Sequence, residues 1–204
     1  MIKNVIFDFG QVLVSFNPKY MTEKYVSSES DSSLLQTVLF DRLYWDRLDL
    51  GTITDGELIK EACARLPERL HPVAAEVYKN WIYNIPETEG MRSLIEEIKE
   101  KYGVRLYLLS NISKGFSEHS SEIPILGYFD KCIMSADYGV VKPSREIFEL
   151  LCRECGIRKE ESIFIDDSPK NIAGGKAFGL HTYLFDGDVA ALRRHFTGIL
   201  SAEI

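Results

Sequence analysis

The chain has 204 residues, with 24 Lys or Arg against 31 Asp or Glu and a formal charge of −7. That length suits one α/β domain with an insertion and a sizeable core, and the absence of any long basic run gives nucleic-acid binding little electrostatic support. No stretch approaches the roughly 18 consecutive apolar residues that span a membrane, and the N-terminus lacks the cationic and cleavage regions of a signal peptide, so a cytoplasmic protein is expected.

Val5-Ile6-Phe7-Asp8-Phe9-Gly10 opens the chain as an apolar run that delivers one carboxylate at its end. Such a run reads as a buried strand of a parallel sheet. Taken alone, Asp8 reads most simply as a strand-ending residue that caps a turn; three later segments argue for more. From Asn17 to about Ile85 no clear strand appears, only helical segments. Among them Asp55 to Leu66 carries apolar residues at helical spacing, and Thr54 with Glu57 forms a capping-box signature. Ser27 to Ser33 reads as a polar loop. Thr88, Met91, Leu94, Ile95 and Ile98 then open an amphipathic helix that ends at Gly103, a good residue just past a helix end.

Strand and helix segments alternate from there. Strands are expected near 104–109, 131–135, 162–166 and 181–185, and helices over 143–155 and 169–178, the former with Pro143 at its first position. Alternation of this kind implies right-handed βαβ units and a parallel sheet. Gly174 and Gly175 weaken the interior of the later helix by roughly 1 kcal/mol each, which points to close helix–sheet packing.

Parallel strands bring their carboxyl ends together, and ligands of open α/β sheets sit there. Asp8, Ser110, Asp166 and Asp167 would then converge, with Lys142 reaching in from a helix start and Asn111 directly after Ser110. Three carboxylates do not ionise side by side without compensation. Mg²⁺ takes one or two carboxylates plus substrate phosphate, and a lysine and a hydroxyl beside it suit a phosphoryl group. The combination reads as phosphoryl transfer.

Over nearly its whole length the chain resembles the phosphatases of the haloacid dehalogenase superfamily. That family carries a nucleophilic Asp after the first strand, a Ser or Thr after the second, a Lys near a helix start, and paired acids after the fourth. Asp8, Ser110, Lys142 and Asp166 with Asp167 fill those positions in order. The resemblance implies a Rossmann-like α/β core of residues 1–15 and 86–204, with a helical cap over 16–85 that closes on the site. It implies Mg²⁺ held by Asp8, the backbone carbonyl of Gly10 and Asp167, with Asp166 as a direct or water-mediated partner. Asp8 would attack phosphorus to form an aspartyl phosphate, while Ser110, Asn111 and Lys142 bind the substrate.

Most superfamily phosphatases carry a second Asp two residues after the nucleophile as general acid and base. This chain has Gly10, and a positioned acid–base group typically contributes about 10²–10⁴-fold. Asp8-Phe9-Gly10-Gln11-Val12-Leu13 resembles the glucose-1-phosphate phosphatase-like branch, which shares Asp-x-Gly and is regarded as hydrolytic. This implies an active phosphomonoesterase on a small phosphorylated metabolite, with a sugar phosphate as the first choice. The group that replaces the missing acid is not visible in the sequence. Two other readings stay open: a non-catalytic protein that binds a phosphometabolite, and a metal-independent haloacid dehalogenase, against which the Asp166-Asp167 pair argues.

The remaining features read as structural. Cys152 and Cys155 have C-x-x-C spacing but fall at a helix end, without the further ligands that zinc needs. Tyr44, Trp45, Trp81 and Tyr83 are expected to supply the core of the helical segment, although Trp45 and Asn17 are also candidates to face a substrate.

Overall fold

The computed structural model describes residues 1–200; residues 201–204, the end of the expected 86–204 segment, lie outside the described residues. In chain order, β1 (Asn4–Phe7) is followed by five helices: α1 (Pro18–Glu23), α2 (Glu29–Leu39), α3 (Arg42–Asp49), α4 (Asp55–Cys63) and α5 (His71–Asn80). The chain continues through α6 (Met91–Tyr102), β2 (Arg105–Ser110), α7 (Lys114–His119), β3 (Lys131–Met134), α8 (Ser135–Tyr138) and α9 (Arg145–Cys155). It closes with β4 (Ser162–Asp166), α10 (Pro169–Phe178), β5 (His181–Leu184) and α11 (Val189–Leu200).

The five strands form one parallel sheet in the order β3-β2-β1-β4-β5. This is the α/β architecture expected from the alternation of strands and helices. The register pairs Phe7 with Leu108 and with Ile165, so β1, β2 and β4 reach the same edge. Asp8, Ser110 and Asp166 therefore stand side by side at the carboxyl ends, on both sides of the central strand. Val5, Ile6 and Phe7 are fully buried, as a strand covered on both faces requires.

The helical block between β1 and α6 shares the core of the sheet. One apolar cluster runs from Val5, Phe7 and Leu108 to Leu35, Leu48, Leu58 and Trp81. The two chain segments that enter and leave the block lie side by side, with Ser15 N donating to Pro86 O at 2.8 Å and Thr88 N to Leu13 O at 2.9 Å.

Helix ends follow local chemistry. Thr54 and Glu57 form the expected capping box of α4, and Gly103 ends α6 in the left-handed conformation. Two expectations are corrected. Ser27 to Ser33 is not a loop, because Ser28 caps α2 and Glu29 and Asp31 complement its first turn. The helix expected from Pro143 begins at Arg145, since the Lys142 N–H and C=O are both bonded to the side chain of Asn111.

The aromatic expectation holds in part. Tyr44 and Trp81 are buried, but Tyr83 is 49% exposed and donates to Glu122. All four cysteines are free thiols, and burial pushes Cys132 up to about 11 and Cys155 up to about 12. Among the described residues no helix is long and apolar enough to cross a membrane.

Candidate functional site

The strand ends open into a cavity of about 410 Å³, a size suited to a small ligand. Asp8, Gly10, Ser110, Asn111, Lys142 and Asp167 line its floor; Phe16, Arg42, Trp45, Asp49 and Trp81 line the side formed by the helical block.

Lys142 organises the floor. Its Nζ lies 2.8 Å from Asp8 Oδ1 and 2.7 Å from Asp166 Oδ2, and it is 4% exposed. Burial works to lower the lysine pKa, but the charges of Asp8 and Asp166 outweigh it and hold the ammonium above its ordinary value. Removing one partner from such a buried pair leaves an uncompensated charge, at a cost of roughly 3–5 kcal/mol.

Asn111 holds this lysine in place. Its Nδ2 donates to Lys142 O at 3.0 Å and its Oδ1 accepts from Lys142 N at 2.8 Å. Both ends of the amide are thus engaged with backbone 31 residues away. Gly174 completes the seat, since a Cβ there would sit 2.7 Å from Pro143 O and 2.8 Å from Pro143 Cβ. The close packing expected at Gly174 and Gly175 is accordingly α10 against the Lys142–Pro143 segment and against Phe164.

Desolvation raises Asp8 to about 6, opposed by Lys142 and reinforced by Asp166. Its Oδ1 accepts from Phe9 N at 2.7 Å as well as from Lys142. Asp166 is fully buried. Its oxygens accept from Ser168 N at 2.8 Å, from Asn171 Nδ2 at 3.1 Å and from Lys142. Asp167 is half-buried, and desolvation followed by the charge of Asp166 raises its pKa. The three carboxylates bring one oxygen each within 4.8 Å of one another. One lysine does not neutralise three acids, and an all-oxygen set of this kind fits a hard divalent cation such as Mg²⁺.

Several residues at this site escaped the sequence. Asn171, on the first turns of α10, bridges both oxygens of Asp166. Asp49 comes from the last turn of α3, in the helical block. The available signal was its position, because an acid at a helix C-terminus opposes the helix dipole. Of the two candidates for the substrate side, Trp45 lines the cavity, with Nε1 donating to Leu39 O at 2.9 Å. Asn17 instead caps α1 by accepting from Tyr20 N.

Residues 2–179 match the haloacid dehalogenase-like hydrolase family. The D-ribitol-5-phosphate phosphatase of Bacteroides thetaiotaomicron is 28% identical over 222 residues, covering 99% of this chain and all of that protein. A sesquiterpene phosphatase of Aspergillus oryzae is 25% identical and covers 87% of each chain. Among solved structures, a haloacid dehalogenase family enzyme of Bacteroides thetaiotaomicron in complex with magnesium and inorganic phosphate superposes with a TM-score of 0.70 at 24% identity, over 94% of this chain and 99% of its own. With most of its length inside the family match, this chain belongs to the haloacid dehalogenase-like hydrolases.

Proposed function

We propose that the protein is a Mg²⁺-dependent phosphomonoesterase acting on a small sugar or polyol phosphate through an aspartyl-phosphate intermediate. The observation that carries this reading is Lys142 seated between Asp8 and Asp166 at the floor of the cavity, with Ser110 and Asp167 beside it. Asp8, the Gly10 carbonyl and Asp167 would hold the metal, with Asp166, whose oxygens already have protein donors, as its partner through water. Bound there, Mg²⁺ supplies charge neutralisation for the carboxylates and for the phosphoryl oxygens.

The chain's own residues account for the rest. Both donors to Asp8 act on Oδ1, so Oδ2 is the oxygen left to attack phosphorus. Ser110 and Lys142 take the non-bridging oxygens. Asn111, in this reading, serves the substrate by fixing Lys142. The aromatic side chains of Phe16, Trp45 and Trp81 give the opposite wall an apolar surface that suits the C–H face of a sugar or polyol. A relative that is a ribitol-5-phosphate phosphatase supports the substrate class. The same aromatic wall also suits a prenyl phosphate, the second reading, supported by the sesquiterpene phosphatase relative.

The test is phosphate release from a panel of pentitol, hexose and prenyl phosphates, with Mg²⁺ and with excess chelator. Turnover of a polyol or sugar phosphate that chelator abolishes, Mg²⁺ restores and Asp8→Asn removes is the expected result. Preference for prenyl phosphates moves the substrate to the second reading. Wild-type protein inert towards the whole panel overturns the phosphatase assignment.

A further inference from the structure

We infer that Asp49, reaching the cavity from the helical block, is the general acid and base of the reaction. The inference rests on the phosphatase reading and names the group that Gly10 does not supply. A departing alkoxide needs a proton, and three carboxylates line the cavity: Asp8, Asp49 and Asp167. Asp8 is engaged as nucleophile and Asp167 as metal ligand, which leaves Asp49.

Three features of its setting support this role. Asp49 is 7% exposed, and its Oδ1 is buried without a hydrogen-bond partner. A carboxyl in that state favours the neutral form and keeps a proton to give. Second, its backbone is tied to the core, since Ser135 Oγ, on the first residue of α8 directly after β3, donates to Asp49 O at 2.6 Å and accepts from Ile112 N at 2.9 Å. Ile112 is two residues beyond Ser110, so one hydroxyl joins the acid to the strand end that receives the phosphate. Third, Gly51 has a positive φ of 67°, and a Cβ there would lie 2.6 Å from Ala136 O. Only glycine permits this approach of the α3 end to α8.

The charges around Asp49 are Arg42 and Asp46 on its own helix, Lys142 and Asp8 across the cavity, and Tyr78 from α5. Desolvation dominates and raises Asp49 to about 7, close to the value that suits a proton donor at neutral pH.

The chemistry balances in two steps. Asp8 attacks phosphorus, the bond to the leaving oxygen breaks, and its electron pair takes the Asp49 proton; this gives the alcohol, an aspartyl phosphate and the Asp49 carboxylate. That carboxylate then takes a proton from water as the water oxygen attacks phosphorus. The phosphorus bond to Asp8 breaks with its electron pair returned to Asp8, phosphate leaves, and Asp49 is protonated again.

The experiment compares wild type with Asp49→Asn on p-nitrophenyl phosphate and benzyl phosphate, which are similar in size but differ greatly in leaving-group basicity. The expected loss of kcat/KM is about 10²–10⁴-fold for benzyl phosphate and under about 10-fold for p-nitrophenyl phosphate. The variant should also give a stoichiometric nitrophenolate burst and a phosphorylated protein by mass spectrometry, because its second step lacks a base. Wild-type kcat/KM for benzyl phosphate should fall as pH rises through about 7, a limb that Asp49→Asn removes. Unfolding midpoints check that the variant is folded, and Asp49→Ser serves as the second variant. An equal loss on both substrates, or no loss, overturns the role of Asp49 and leaves the phosphatase reading standing. Wild type inert on both esters, and on the metabolite panel, overturns the two together.

Discussion

Asp49 gives this protein a stability signature that is independent of turnover. Burial keeps its proton on to about pH 7 in the folded chain, whereas an unfolded Asp loses it near pH 4. Between those values the folded state binds the extra proton, so stability falls as pH rises, by up to about 1.4 kcal/mol per pH unit. The contribution is fully present below the window and lost above it. Asp8, raised to about 6, acts in the same direction, so the difference between wild type and Asp49→Asn isolates Asp49. Urea unfolding of metal-free protein should find the variant less pH-dependent from about pH 5 to about pH 8, and the more stable of the two at the upper end. Identical pH dependence would mean that Asp49 is ionised in the folded chain. Lys142 is the opposite case, a buried charge held by two carboxylates.

Among the elements, α10 has the most exacting contact with the site. Its two glycines let it approach Pro143 and Phe164, and its N-terminal turns carry Asn171 to Asp166. A Cβ at Gly174 meets backbone, which has little freedom to move aside. Gly174→Ala should therefore cost about 1–3 kcal/mol by overpacking and lower kcat as Lys142 shifts from its seat. Gly198 in α11 is the control: a Cβ there meets nothing within 4 Å. Gly198→Ala should stabilise by up to about 1 kcal/mol through helix propensity, with activity unchanged. Denaturant titrations and steady-state rates check both. Equal stability changes in the two variants would show that the α10 approach carries no strain.

Over the whole molecule, one apolar cluster joins sheet and helical block, and both contribute to the wall of one cavity. The crowded acids at its floor oppose folding through desolvation and mutual repulsion. A cation that binds only the folded arrangement should relieve this. At about 100 times its dissociation constant, Mg²⁺ should add about 2.7 kcal/mol, which for a chain of this size raises Tm by roughly 5–10 °C. Asp167→Asn should lose most of that shift while keeping the metal-free Tm or increasing it. A thermal melt insensitive to Mg²⁺ in wild type would remove the cation from the site.

The sequence by itself determined the parallel sheet, the strands that end in Asp8, Ser110 and Asp166, and the family, because each strand is a local apolar run and the acids follow it directly. It also carried the capping box of α4, a property of neighbouring residues, and it signalled a close approach at Gly174 and Gly175, although the partner Pro143 of Gly174 lies outside the sheet and 31 residues away. It misjudged the start of the helix after Pro143, since the backbone there is claimed by Asn111 from 31 residues away. The placement of Asp49 was beyond its reach for the same reason. Nothing near Asp49 in the chain ties it to the strand ends; its backbone meets Ser135 across 86 residues, and Gly51 packs on Ala136. Residue spacing encodes periodicity over a few turns, but the approach of an inserted helix to a distant strand end is decided by the packing of the shared core, and so only the tertiary structure brings this carboxyl to the cavity.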